Sequence, residues 1–164
     1  MKITKNITVA ANPADVWRVI AEEYDQVDRW ASAVERSMAV AGGSAPGGAP
    51  VAGRTCETSL GPFKERIVEY DETNYRLAYE ASGEKMPFFV KNMTARWRLS
   101  QIKPGTTDVA MSLDVRLMPV FNVLMALPMK MQLGKVVQES IEECKHFVET
   151  GEPHPRKKAQ LAAG

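Results

Sequence analysis

Four side chains of this 164-residue sequence are placed to meet another molecule inside a protein: Arg54, Cys56, Glu65 and Tyr79. Arg54 and Cys56 stand two residues apart in an extended run, so they share one face. If that face is concave, Arg54 is an interior cation and needs either Glu65 or an acidic ligand. If it is convex, Arg54 is simply solvated, and the convex placement is the preferred one. Tyr79 is expected to turn its ring onto the core, which obliges its hydroxyl to find a partner. It then either orients a ligand or serves as a buried structural tyrosine. The two histidines, His146 and His154, fall on the polar face of a helix and in the tail, so neither is a base in an interior site. The two cysteines, Cys56 and Cys144, have no metal-ligand spacing and read as reduced thiols. There is no Ser-His-Asp or Cys-His arrangement, metal cluster or phosphate loop. No metal and no cofactor is therefore expected, and what remains is acid–base chemistry on a bound ligand, or binding alone.

The elements that position these groups follow from hydrophobic periodicity. Ile3 to Ala11 alternates as a half-buried strand. Asn12-Pro13 opens a short helix with Asn as cap and Pro at the first helical position, and a second helical turn carries Tyr24 to Trp30. Six strands are predicted next: Val34 to Ala41, Ala52 to Leu60, Phe63 to Asp71, Tyr75 to Ser82, Val90 to Ile102 and Asp108 to Leu117. Short turns join most of them, which makes the sheet antiparallel, and one apolar face means that it is covered on one side only. Residues 119 to 148 form one long helix, or two joined at a kink. Leu133, Val136, Val137, Ser140, Ile141, Cys144, Phe147 and Val148 mark its apolar face. Upstream of these the segment is apolar all round and rich in Met, and Pro128 removes one donor and crowds the carbonyl of Leu124.

The predicted fold is α+β, in the order β-α-α-β-β-β-β-β-β-α: a curved, seven-stranded antiparallel sheet wrapped around a long C-terminal helix. Residues 1–150 make one domain, and 151–164 read as a disordered tail. A net charge of +1 with scattered basic residues gives no field for nucleic acid. The run 119–131 is too short to span a bilayer, which needs ~20 residues, so no stable membrane insertion is expected. With no apolar leader segment, the chain is read as cytoplasmic.

That order of elements resembles the START-like, helix-grip (SRPBCC) superfamily, in its polyketide cyclase/dehydrase-like branch. The matching features are the start Ala11-Asn12-Pro13-Ala14-Asp15-Val16-Trp17, the aromatic Trp30, and the strand Phe63 to Glu72 with a Glu near its start and an acidic turn at its end. Arg76-Leu77-Ala78-Tyr79 continues the match. The resemblance implies a cavity between sheet and helix and places Glu65 in it. There the carboxylate binds a ligand through water or acts as general acid or base; otherwise Glu65 is a surface residue paired with Lys64 or Arg66. The expected ligand-binding residues are Tyr24, Trp30, Arg54, Cys56, Glu65, Leu77, Tyr79, Trp97, Met111, Leu124, Leu127 and Met131, with Glu65 and Tyr79 the catalytic candidates. The loops at Leu60, Gly61 and Pro62 and at Met86 and Pro87 correspond to the family's gate loops, although Gly61-Pro62 equally makes a plain hairpin turn.

The function so implied is binding of a small apolar ligand: a lipid, a polyketide or another aromatic compound. The alternatives are a polyketide cyclase or dehydratase acting in the same cavity, and a protein that docks a partner, or a second copy of itself, through the Met-rich helix.

Overall fold

The computed structural model describes residues 1–59 and 61–163, apart from the side chains of Asn122 and Leu124. Seven strands form one antiparallel sheet: β1 (Lys2–Val9), β2 (Arg36–Ala39), β3 (Gly53–Thr58), β4 (Gly61–Asp71), β5 (Arg76–Gly83), β6 (Val90–Lys103) and β7 (Thr106–Leu117). Their order across the sheet is β1-β7-β6-β5-β4-β3-β2. Strands 2 to 7 are a meander whose neighbours in sequence are neighbours in space, as short turns require. Only β1 crosses over, to pair with β7 at the far edge. In β7 alternate residues from Thr107 to Leu117 are buried, the period-2 signature of a sheet packed on one face. A bulge in β4 between Ile67 and Glu69 interrupts its register with β5, and an extra residue of this kind bends a strand and increases its twist.

Between β1 and β2 the chain forms α1 (Pro13–Trp17), which continues through a π turn at Arg18–Glu22 into a 3-10 segment at Tyr24–Arg29. Asn12 stands at the cap position as predicted, but its side chain makes no cap hydrogen bond. Its Oδ1 instead accepts from the backbone N–H of Gly105 at 2.9 Å, tying the first helix to the β6–β7 turn. Val16, Trp17, Ile20, Ala21 and Tyr24 are buried by this arrangement.

The C-terminal helical region is two helices, α2 (Pro119–Leu124) and α3 (Ala126–Thr150). The break lies at Met125, with φ −105° and ψ −9°, three residues before Pro128. The cause is the predicted one: a proline cannot share a helix with the carbonyl four residues earlier, here that of Leu124. With the chain interrupted at Met125, Pro128 falls in the first turn of α3, where its missing N–H costs nothing. Helix α3 buries Val137, Ile141, Cys144 and Phe147 and ends at Gly151, whose φ of 74° suits a glycine. It packs principally on β1 and β7. The middle of the sheet stands away from it.

The tail corrects an expectation. Residues 151–163 are not a structureless extension: Pro155–Ala163 forms a further helix, α4. Lys157 is fully buried, and its Nζ donates to the carbonyl of Val34 at 2.7 Å and to Gln160 at 2.6 Å. Arg156 bonds Glu143 through Nε and Glu142 through Nη2, each at 2.8 Å. The buried Glu143 carboxylate also accepts from the backbone N–H and hydroxyl of Ser32, at 2.8 and 2.6 Å. The polar composition that suggested disorder is instead spent on hydrogen bonds to the domain. Gly164 lies outside the described residues. None of the helices among the described residues is long and apolar enough to cross a membrane.

Candidate functional site

Because α3 leans on the β1–β7 edge, a cavity of about 280 Å³ remains between it and strands β3 to β7. At ~30 Å³ per liquid water this is room for a compact molecule of one or two rings. The sheet side of the wall is built by same-face neighbours, Met93, Ala95 and Trp97 on β6 and Met111 and Leu113 on β7, with Tyr79 and Ala81 on β5. Ile20, Val27, Trp30 and Val34 come from the segment before β2, and Leu133, Val136, Val137 and Ser140 from α3. The most exposed wall residues are Ala33, Ser59 and Val136, which places the mouth between the β3–β4 turn and α3.

One end of this mostly apolar space is polar. Arg54 on β3 and Glu65 on β4 are direct cross-strand partners, and both side chains turn to the concave face. The convex placement preferred for Arg54 is therefore corrected: its side chain is 6% exposed. The guanidinium donates to Glu65 Oε2 through Nε at 2.7 Å and approaches the same oxygen through Nη2 at 2.6 Å. Nη1 donates to the backbone carbonyl of Tyr24. The Tyr24 ring lies 3.9 Å from the guanidinium carbon and the Tyr79 ring 5.4 Å from it, so two aromatic faces stack around the cation. The Tyr24 hydroxyl donates to Glu65 Oε2 at 3.2 Å. Register explains why the cation faces inward: Arg54 shares its face with Cys56, which the core needs.

The electrostatics follow from this packing. Burial pushes the Arg54 pKa down, but the Glu65 carboxylate, joined by Tyr24, Tyr79 and Cys56, more than offsets it and the guanidinium remains charged. Burial, with the Glu65 charge added, holds the phenols of Tyr24 and Tyr79 above their ordinary value. It pushes the Cys56 thiol up to about 11. The site at rest is thus an internally neutralised ion pair beside protonated phenols and an unreactive thiol.

Of the expected ligand-binding residues, the structure brings Trp30, Arg54, Cys56, Glu65, Tyr79, Trp97 and Met111 to the wall. Tyr24 is buried one layer behind, against Arg54. Leu77 is also buried, in the core rather than on the wall. Leu127 and Met131 are corrections: both are exposed, at 70% and 71%. Met131 opens on a separate, lysine-lined groove between β1 and α3. The side chain of Leu124 lies outside the described residues. The helix wall is supplied instead by the 133–140 stretch, whose helical spacing already marked it as an inward face.

Among the described gate residues, Gly61, Pro62, Met86 and Pro87 do not form the cavity wall. Gly61 and Pro62 pair with Thr58 and Glu57 in the sheet ladder, while Met86 and Pro87 belong to the β5–β6 connection; Leu60 lies outside the described residues. The two segments nevertheless meet, because a Cβ at Gly61 would come within 3.0 Å of the Lys85 side chain. At the mouth the Phe63 ring lies so close over Gly83 that a Cβ there would stand 3.0 Å from it.

A sheet gripping one long helix, with an apolar cavity held between them, defines the helix-grip class. The chain belongs to the polyketide cyclase / dehydrase and lipid transport family, whose model matches residues 1–149. Comparison with curated proteins gave no match. Among solved structures, the chain is similar to a START superfamily protein from Mycobacterium smegmatis, with 15% identity over 90% of this chain and 97% of that one and a TM-score of 0.68. It is similar to a protein from Nitrosospira multiformis at 17% identity, covering 92% and 98% of the two chains, with a TM-score of 0.71. The di-domain ARO/CYC protein BexL matches at 15% identity over 91% of this chain and 46% of its own, with a TM-score of 0.69.

Proposed function

We propose that this protein binds a compact apolar compound, of lipid, polyketide or other aromatic type, in the cavity between α3 and the sheet. The observation that carries the reading is the cavity itself: an apolar chamber that the core leaves unfilled, with a structured polar group at one end. Burial of apolar surface at ~25 cal/mol per Å² drives binding, and Trp30 and Trp97 supply flat aromatic walls. Native mass spectrometry of the freshly purified protein tests this directly, with added mass expected from a retained apolar compound. The Ala81→Phe variant, which fills the chamber from β5, should lose that mass while keeping its circular dichroism spectrum. Equal ligand retention by both proteins would remove the cavity from the function.

Binding is favoured over cyclase or dehydratase chemistry because the titratable groups on the wall are poorly poised to move protons. Glu65 is tied to Arg54, and Tyr79 and Cys56 are held protonated far above neutral pH. Turnover of an aromatic precursor that is lost in Glu65→Gln would reverse that preference.

A second reading concerns the Met-rich region. Val120, Val123, Leu127 and Met131 follow helical spacing across the α2–α3 junction and are exposed, as is Phe88, which packs on Phe121. A second copy of this chain, burying the same stripe, would cover it. Analytical ultracentrifugation should then show a dimer that Val123→Glu dissociates; a wild-type monomer at high concentration ends this reading. A cytoplasmic location belongs to the same proposal, in keeping with two buried, unpaired thiols.

A further inference from the structure

Within the cavity reading, on which this step rests, we infer that the preferred ligand carries a hydroxyl or other neutral hydrogen-bond donor, which it presents to Glu65 Oε1, and that carboxylate ligands are disfavoured. The inference comes from the accounting of hydrogen bonds around the ion pair. Arg54 is already engaged through each of its three nitrogens: Nε and Nη2 go to Glu65, Nη1 goes to the Tyr24 carbonyl, and aromatic rings lie against it. An acidic ligand would have to compete with a carboxylate already seated at 2.6 Å. Every donor that reaches Glu65 reaches the same oxygen, since Arg54 Nε, Arg54 Nη2 and the Tyr24 hydroxyl all converge on Oε2. Among the described residues no group donates to Oε1. Glu65 lines the cavity, so this oxygen is the acceptor left for a bound molecule.

A carboxylate oxygen accepts only. A hydroxyl placed there gains a charge-assisted bond, a methyl group in its place leaves the oxygen desolvated and unpaired, and a carboxylate meets like charge. Tyr24 and Arg54 accordingly act as positioning residues: they anchor Oε2 and thereby aim Oε1. The cavity thus selects apolar rings by shape and a donor by charge.

The test is isothermal titration of the full-length protein with three probes of one shape: 2-naphthol, 2-methylnaphthalene and 2-naphthoate. Wild type should bind the naphthol roughly tenfold tighter than the methyl compound, the scale of one hydrogen bond to a charged acceptor, and the naphthoate most weakly. In Glu65→Gln the naphthol preference should fall below about threefold. Naphthoate affinity should rise there, because Arg54 is no longer fully neutralised. Equal wild-type affinity for naphthol and methylnaphthalene, or tighter binding of naphthoate, overturns the inference while leaving the cavity reading intact. Failure of all three probes to bind overturns both. The wild-type comparison decides the matter even if the variant does not fold.

Discussion

Arg54 shows how one residue can be read correctly in kind and wrongly in place. Its charge, and its need for Glu65 or an acidic ligand should it face inward, were legible from the strand pattern, but the side of the sheet on which it sits was not. Alternation fixes which residues share a face, and only packing says which face is inside. The buried pair makes a firm prediction. Arg54→Ala leaves the Glu65 carboxylate without its partner and should cost about 3–5 kcal/mol in urea unfolding, whereas Arg54→Met combined with Glu65→Leu should recover most of the loss. The thiols give a prediction in pH. Burial raises Cys56 from 9.0 to about 11 and Cys144 from 9.0 to about 12. The folded state therefore holds both protons longer than the unfolded chain. The associated stability is complete below about pH 9 and is lost as pH rises through the folded values. The urea midpoint should fall steadily above pH 9, and Cys144→Ala should flatten that slope whatever it does to absolute stability. For the same reason, neither thiol should react with a disulfide reagent at pH 8 until the protein unfolds.

At the scale of elements, the strands were legible almost throughout, since seven period-2 runs separated by Gly, Pro and Asn turns leave little choice. The helices were less so. The break was attributed to Pro128, and the chain places it at Met125, so the proline sits in the first turn of a new helix instead of bending an old one. That shift takes Leu127 and Met131 off the cavity wall and puts Leu133, Val136, Val137 and Ser140 there. The tail helix α4 was not legible at all. Nine residues, three of them the consecutive cations Arg156, Lys157 and Lys158, make a helix too short to be stable on its own, and its order depends on Glu143 and the Val34 carbonyl, more than ten positions away in the chain. Truncation after Gly151 is expected to strip Glu143 of Arg156 and to cost about 2 kcal/mol or more, seen as a melting temperature lower by roughly 4–8 °C. An unchanged melting curve would mean that α4 contributes nothing.

At the scale of the molecule, the cavity exists because α3 rests on one edge of a bent sheet and not on its middle. Filling it should therefore stabilise rather than harm: Ala81→Phe is expected to raise the melting temperature by a few degrees if the ring fits without strain, and a lowered one would show the chamber to be narrower than its volume suggests. The sequence by itself determined the seven strands, their succession along the chain and the C-terminal helical region, and it set the condition that an inward-facing Arg54 needs Glu65 or an acidic ligand, because these rest on local periodicity and on the cost of burying charge. The tertiary structure alone decided that Arg54 faces inward, that Leu127 and Met131 stay off the cavity wall, and that the tail folds back as α4. Each of those depends on where two distant segments stop against each other, and that balance of contacts is not written in the spacing of either.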